Sequence, residues 1–443
     1  MCERAPLDRE RPVIATHNRL GQRGLDGQHG QRRPDDPAQS LADGDLARML
    51  LAVELAMTTT RGSWDEVTDA LLAAKKRPLD RSARADLFYG APALTFVLDT
   101  TGAQYRARWA HELAALDQIL VELTAERFEA VNDRIEAGAP THGSEFDLMT
   151  GLTGLGMVLL RRAVHQPARG TALDEAVSGA LSGVLSYLVD RSKDRILSEV
   201  LLPGWWSASA PQPTTPVGDK QPNGYADFGM ARGGAGILAF LAASYRAGYA
   251  VPGQAEAIRH ITGWYTRWRQ ETPDKVTWWP QQLSLDELRT GRVHQPGPSE
   301  PTWAHGTPGI GRALQMAGIA LGDERGRVVA EDAVASCLTQ RELNRLTEPD
   351  LYVGTGGMYL TVLRAAEDAE AFMALHRRGH SLETSRLGVA ADAVSRTSRV
   401  LPDPDDTEFL WGRFGTRLVF ESLRTRAAPV SGADGVLGIG WAE

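Results

Sequence analysis

One phrase recurs along this chain and limits what it can fold into. A turn ending in glycine leads into an apolar helix, with a second glycine or small residue a few positions on. It reads LFYGAPALTFVL at Leu87–Leu98 and DLMTGLTGLGMVLL at Asp147–Leu160, then DFGMARGGAGILAFL at Asp227–Leu241. It returns as TWAHGTPGIGRALQM at Thr302–Met316, LYVGTGGMYLTVL at Leu351–Leu363 and FLWGRFGTRLVF at Phe409–Phe420. Neighbouring copies lie roughly 50–80 residues apart, room for two ordinary helices with their loops. The unit is therefore a helix pair, set around a ring or along a solenoid. Glycines at helix starts permit tight turns and close backbone approach. If all the inner helices begin at one end, the turns converge on a shared mouth, where a functional site would lie. Packing alone accounts for any single glycine, but not for six copies with polar residues set inside the turns.

The rest of the chain agrees with an all-α fold. Trp109–Ile135 and Leu173–Asp190 carry apolar residues at helical spacing, and Leu46–Met57, interrupted by Arg48 and Glu54, reads as a buried helix. Alternating strand patterns are scarce. Pro- and Gly-rich loops are expected at Pro203–Gly224, Pro273–Pro280, Val293–Pro301 and Leu401–Asp406. Residues 1–40 are rich in Arg, Asp, Gly, Gln and Pro and read as a disordered tail or as translation from a misassigned start. The folded unit is expected over 41–443.

Composition removes several function classes. With a net charge of -8 and no dense basic block, nucleic-acid binding is not expected. No apolar run suggests a bilayer span, and no export signal opens the chain, so a cytoplasmic protein is expected. Of the two cysteines, Cys2 lies in the tail and Cys337 in the folded part, so neither a disulfide framework nor a two-cysteine metal site is expected. GGAGIL and GTPGIG resemble phosphate-binding turns, but neither follows a strand, and no Walker A sequence occurs. Paired carboxylates on a helical barrel would suit a carbohydrate-active hydrolase. Asp147, Asp227 and Glu348 sit beside Gly-rich turns, and Trp205, Trp206, Trp278 and Trp279 could stack on sugar. Acidic residues beside helix starts are more commonly caps.

The turns resemble those of the lanthionine synthetase C-like family, from about Leu46 to the closing segment Gly435–Trp441 (GVLGIGW). The resemblance implies a seven-fold α/α toroid with Gly-rich inner-helix starts. The family's motif Trp-Cys-(His or Tyr)-Gly-x-Pro-Gly is here Trp303-Ala304-His305-Gly306-Thr307-Pro308-Gly309, with Ala304 at the metal-binding cysteine. The motif Cys-His-Gly-Thr-x-Gly is here Tyr352-Val353-Gly354-Thr355-Gly356-Gly357, with both ligands replaced. The motif Gly-x-Ala-His-Gly-x-x-Gly, whose His is implicated in proton transfer, has Arg232 at that position. An aspartate before an inner-helix turn matches Asp147.

The resemblance implies an architecture kept and a chemistry rewritten. Zinc-dependent members bind a substrate cysteine as thiolate, which adds to a dehydroalanine or dehydrobutyrine and closes a thioether ring. Ala304, Tyr352 and Val353 do not supply zinc's tetrahedral Cys and His set, so no zinc and no other cofactor is expected. The candidate site is then Asp147, Arg232, His305 and Tyr352. Arg232 would stabilise a thiolate or enolate, His305 would carry protons, and Tyr352 would donate a hydrogen bond. The alternative for Arg232 is an ion pair with Asp147 or Asp227. Two lanthipeptide readings follow: a zinc-independent cyclase, or a non-catalytic pseudoenzyme that binds precursor peptide and holds a dehydratase or another cyclase. The loop 203–224, with Trp205 and Trp206, would cover the mouth and shape peptide binding, or be a disordered insertion.

Overall fold

The computed structural model describes residues 39–42, 44–59, 62–74, 76, 78–165, 170–208, 223–376 and 408–441. Cys2, nearly all of the expected tail, positions 209–222 of the Pro-rich loop and the loop Leu401–Asp406 lie outside the described residues.

Twelve helices of ten or more residues dominate the described residues: α1 (Asp45–Thr58), α2 (Trp64–Ala74), α3 (Gly90–Asp99), α4 (Ala110–Glu136), α5 (Leu152–His165) and α6 (Ala172–Arg191), followed by α7 (Gly234–Arg246), α8 (Gln254–Trp268), α9 (Thr307–Leu321), α10 (Glu324–Ser336), α11 (Thr355–His376) and α12 (Arg413–Thr425). The helices α1, α3, α5, α7, α9, α11 and α12 each pack on the next, and α12 packs back on α1, closing a ring of seven. The helices α2, α4, α6, α8 and α10 back five of them from outside. The fold is an α/α toroid.

The six copies legible in the sequence are joined by a seventh, which opens α1. Ser40-Leu41-Ala42-Asp43-Gly44 has the same spacing from a polar residue to the helix-start glycine as Asp147–Gly151 and Asp350–Gly354. Its second small residue is Ala47, as Ala93 is in the copy that opens α3. The second small residue has a steric cause: a Cβ on Gly309 would strike the Trp303 carbonyl, and one on Gly357 the Leu351 carbonyl. These glycines let the helix start against its own turn, and GGAGIL does follow a short strand, Tyr225–Asp227, against the expectation that it follows none.

Ties between neighbouring turns run the full circle. Backbone N–H groups donate from Leu41 to Phe88 O (2.8 Å), Phe409 to Ala42 O (2.8 Å), Leu351 to Leu410 O (2.9 Å), Ala304 to Tyr352 O (3.2 Å) and Ala231 to Ala304 O (3.3 Å). Arg127 bridges a sixth junction, donating to Ala85 O and to Thr150 O, both at 2.8 Å. The seventh is spanned by Arg232 and Asp147. All the inner helices therefore start at one end, and the turns form one mouth.

The closing segment fills the axis beneath that mouth. The Glu54 carboxylate accepts from the Val430 and Ser431 N–H groups, and Arg364 grips Asp434 at 2.6 and 2.8 Å. A 3-10 turn, Ala433–Leu437, then reaches the underside of the mouth, where Trp303 Nε1 donates to Leu437 O (2.9 Å). Gly438, in the left-handed region at φ 69°, turns the chain back against Leu148. Arg312 holds Ile439 O at 2.9 Å, and Trp441 stacks under the Arg246 guanidinium. Val436, Leu437 and Ile439 are fully buried. At about 1.5–3 kcal/mol per aliphatic side chain, this plug is part of the core rather than a loose end.

Among the described residues only three short two-stranded antiparallel sheets interrupt the helices, in line with the scarcity of strand patterns in the sequence. They pair β1 (Arg195–Leu197) with β2 (Val200–Leu202), β3 (Tyr225–Asp227) with β6 (Gln282–Ser284), and β4 (Gln270–Glu271) with β5 (Thr277–Trp278). The β1–β2 turn is Ser198–Glu199, both at positive φ without a glycine or asparagine, so it carries no sequence signal. The helix α6 is long and apolar enough to cross a membrane by length and composition, contrary to the expectation that no segment is. Here it starts with a Thr171–Asp174 capping box and lays Val177, Leu181, Leu185 and Leu188 against α4 and α5.

Candidate functional site

The repeat fixes which residues face the mouth. The residue just before each helix-start glycine is Tyr89, Thr150, Arg232, His305, Val353 or Trp411, and all but Tyr89 are partly exposed. The residue one place earlier is Phe88, Met149, Ala231, Ala304, Tyr352 or Leu410, and all six are buried. Arg232 and His305 therefore reach the mouth, while Tyr352 belongs to its wall.

Asp147 builds its own turn. Its Oδ1 accepts from the Thr150 N–H (2.7 Å), the Gly151 N–H (3.0 Å) and the Thr150 hydroxyl (3.1 Å). Asp86, Asp227 and Asp350 use one carboxylate oxygen in the same way, on Phe88, on Gly229, and on Tyr352, Val353 and Gly354. The repeat thus explains these aspartates as turn builders. Asp147 Oδ2 faces Arg232 Nη1 at 3.5 Å, the first of the two ion pairs weighed for this arginine. Asp147 is fully buried and Arg232 is 30% exposed, so the guanidinium caps a buried carboxylate and shows its other edge to the mouth. Burial pushes the Asp147 carboxyl up, while Arg232 and the turn N–H groups pull it back only in part.

His305 stands on the adjoining turn. The bond from Ala231 N to Ala304 O ties together the residues just before Arg232 and His305. Gly229 leaves room for the imidazole, since a Cβ there would crowd Nδ1 and the Ala304 carbonyl. On the other side the His305 ring meets the edge of Tyr352 at 5.6 Å. Tyr352 is 4% exposed and also touches Trp303 (5.7 Å) and Trp411 (5.2 Å), so its ring closes an aromatic wall.

Two residues join the site that the motifs did not single out. Trp411 shares the register of His305, so counting back from each glycine would have found it. Tyr225 arrives through β3–β6 pairing, which no turn motif reports. Burial and Asp227 push its phenol up to about 12, with Arg232 opposing and Asp147 adding, so it stays a neutral donor beside the ion pair.

The hydrolase residues do not form such a site. Trp205, Trp206, Trp278 and Trp279 are all buried and offer no face to a sugar. Trp205 in particular is core, donating from Nε1 to Asp227 O (3.0 Å) and packing on Phe228, Trp264 and Tyr265, so it does not cover the mouth. Cys337 is buried, its thiol pushed up by that burial.

Zinc can be tested against the donors present. Ala304 is a fully buried methyl, Tyr352 a caged phenol and Val353 an isopropyl group, which leaves His305 alone as a nitrogen ligand. This set does not fit a tetrahedral Cys/His site. Among the described residues no three His, Cys, Asp or Glu side chains gather in a way that could hold a metal ion.

Asp350 gives a separate prediction. Burial pushes its carboxyl up to about 6 despite three N–H donors at 2.8–2.9 Å, and Glu348 adds to the rise. With the folded pKa above the ordinary value of 3.8, the extra stability is fully present below about pH 4 and lost as pH rises through 6. Asp350→Asn keeps an acceptor and removes the ionisation. Its stability relative to the parent should therefore rise between pH 4 and 7, by at most about 3 kcal/mol. Paired urea unfolding at several pH values reads this, and a pH-independent difference would refute it.

Comparisons with known proteins agree with the geometry. The family model "Lanthionine synthetase C-like protein" matches residues 36–347. Among solved structures, nisin cyclase matches with a TM-score of 0.72 at 19% identity, covering 92% of this chain and 93% of that one. No curated protein sequence matches. A model matched over most of the chain, a closed ring of seven inner helices and the Gly-rich turns at its mouth lead to one statement: the chain belongs to the lanthionine synthetase C-like family.

Proposed function

We propose that this protein serves lanthipeptide maturation, taking a precursor peptide at the mouth of the toroid and promoting thioether ring formation without zinc. One observation carries the reading: Arg232 and His305 stand side by side on turns tied by the bond from Ala231 N to Ala304 O. In this scheme His305 takes the proton of a substrate cysteine thiol. The thiolate sulfur bonds to Cβ of a dehydroalanine or dehydrobutyrine, and the alkene electron pair moves to the enolate. Arg232 stabilises that charge, and the proton on His305 passes to Cα. Thiol and alkene are consumed, a thioether is formed, and no redox partner is required. Buried Asp147 orients the guanidinium, and neutral Tyr225 lies within its field.

The second reading is a peptide-binding partner without chemistry of its own. The caged Tyr352 ring and the role of Arg232 as the seventh turn-to-turn tie favour it. A dehydrated peptide with one cysteine and one dehydroalanine separates the two, with free thiol counted by alkylation and mass spectrometry. For a cyclase, His305→Gln and Arg232→Gln each slow ring closure by about 10²-fold or more while the peptide still binds. If neither variant slows it, the catalytic reading is lost. If the parent closes no ring beyond the uncatalysed rate yet binds the peptide, the partner reading stands.

A further inference from the structure

Beside the outer helix α8, outside the ring of inner helices, the β1–β2 hairpin carries an exposed apolar surface. Ile196 is 77% exposed, Leu197 44% and Leu201 42%, and Ile196 faces Leu201 across the ladder. Soluble proteins normally protect a strand edge with charge, proline or a covering element. Here β1 pairs with β2 alone, and no other strand among the described residues takes its second edge. Beside the hairpin tip, a cavity of about 160 Å³ is lined by Val200, Leu201, Trp264, Leu288, Arg267 and Arg289. That is room for one aliphatic side chain.

The charges say what kind of segment fits. Arg267 lies over the faces of Trp264 and Trp268 and has no carboxylate partner among the described residues; neither does Arg195 on the open strand. Arg289 has Asp286 at 4.0 Å, and among the described residues Glu199 is the one acid lining the cavity. An open edge takes an extended backbone, the apolar face takes alternate aliphatic side chains, and the guanidinium groups take carboxylates. Trp264 packs on Trp205, which holds the turn that leads to Arg232, so one aromatic layer separates this groove from the mouth.

We propose that the open edge of β1 and the adjoining cavity dock an extended acidic peptide segment that inserts one aliphatic side chain beside Trp264. The maturation reading supplies only the source of that segment, a stretch of the precursor held while another part reaches the mouth.

The test uses the full chain and a fluorescein-labelled decapeptide of alternating leucine and glutamate, read by fluorescence anisotropy. Controls are the same peptide with lysine for glutamate, and one N-methylated at every second residue, which cannot pair as a strand. The leucine–glutamate peptide should bind saturably, and both controls at least about tenfold more weakly. The exposed Ile196→Ser/Leu201→Ser double variant and Arg267→Glu should each weaken binding by at least about tenfold while melting like the parent. Equal binding of the lysine peptide, undiminished binding by the variants, or no saturable binding of the first peptide overturns the proposal. The readout involves no ring closure. If the His305 and Arg232 variants refute catalysis, this binding is untouched. If ring closure is supported and the peptide fails to bind, only the dock is lost.

Discussion

Introducing Ala304→Cys, Tyr352→Cys and Val353→His together should turn the mouth into a zinc site holding close to one metal per chain. The unaltered chain, purified without a metal-affinity tag, should carry far less. The backbones of 304 and 352 are joined by a hydrogen bond at 3.2 Å, and 353 is the next residue, already partly exposed to the mouth. Two thiolates and an imidazole there give three protein ligands and leave a fourth position for water. Removing the Tyr352 ring opens the space that it fills between Trp303, His305 and Trp411. Thiolate and imidazole sets of this kind bind zinc with roughly 10 kcal/mol or more, so the contrast with the parent should be large. Elemental analysis of both proteins reads it. Zinc near one per chain in the parent would mean that its donor set has been misread. A folded triple variant without zinc would mean that the three positions do not converge.

Asp99→Ala should destabilise the fold by about 3–5 kcal/mol, the usual cost of stripping one partner from a buried ionic cluster. At the end of the toroid away from the mouth, Asp99 faces Arg161 Nε (3.1 Å), Arg162 Nη1 (3.1 Å) and His165 Nδ1 (2.7 Å). Arg162 keeps a second partner in Asp117, but Arg161 would retain only the face of Phe96 at 5.0 Å and the backbone of the axial segment beside Gly432 and Gly435. Burial pushes the Asp99 carboxyl up, yet His165, Arg161 and Arg162 outweigh it and hold the group well below the ordinary carboxylate range. With the folded pKa depressed, the contribution is present above about pH 4 and lost as pH falls further. The gap between parent and variant should therefore narrow in acid. Urea unfolding at pH 7 and pH 3 checks both size and sign, and a loss under about 1 kcal/mol at pH 7 would contradict this account.

What was legible in the sequence was the repeat. Glycines spaced to let a helix start against its own turn gave the helix pairs and the shared mouth. Arg232 and His305 were picked out by the resemblance to the family's motifs; that the residue before such a glycine faces the opening came from the structure. The seventh copy was missed because its turn, Ser40–Gly44, begins at the last residue of the stretch read as a disordered tail. The β1–β2 hairpin was missed because its turn uses serine and glutamate at positive φ. Trp205 and Trp206 looked like mouth residues because they stand in a Pro-rich loop, and a loop in sequence says nothing of which side chains turn inward.

Local sterics and apolar spacing are properties of the chain read residue by residue, so the sequence by itself determined the all-α helix pairs with glycine starts, in a ring or a solenoid; the toroid and the replaced zinc-ligand types came from the resemblance to the family's motifs. Only the tertiary structure decided which groups meet across the ring. Asp147 and Arg232 lie 85 residues apart and Trp303 and Leu437 134 apart, yet each pair forms one contact. Burial, not residue type, makes Tyr352 part of a wall and leaves Arg232 at the opening, and burial exists only once the ring has closed.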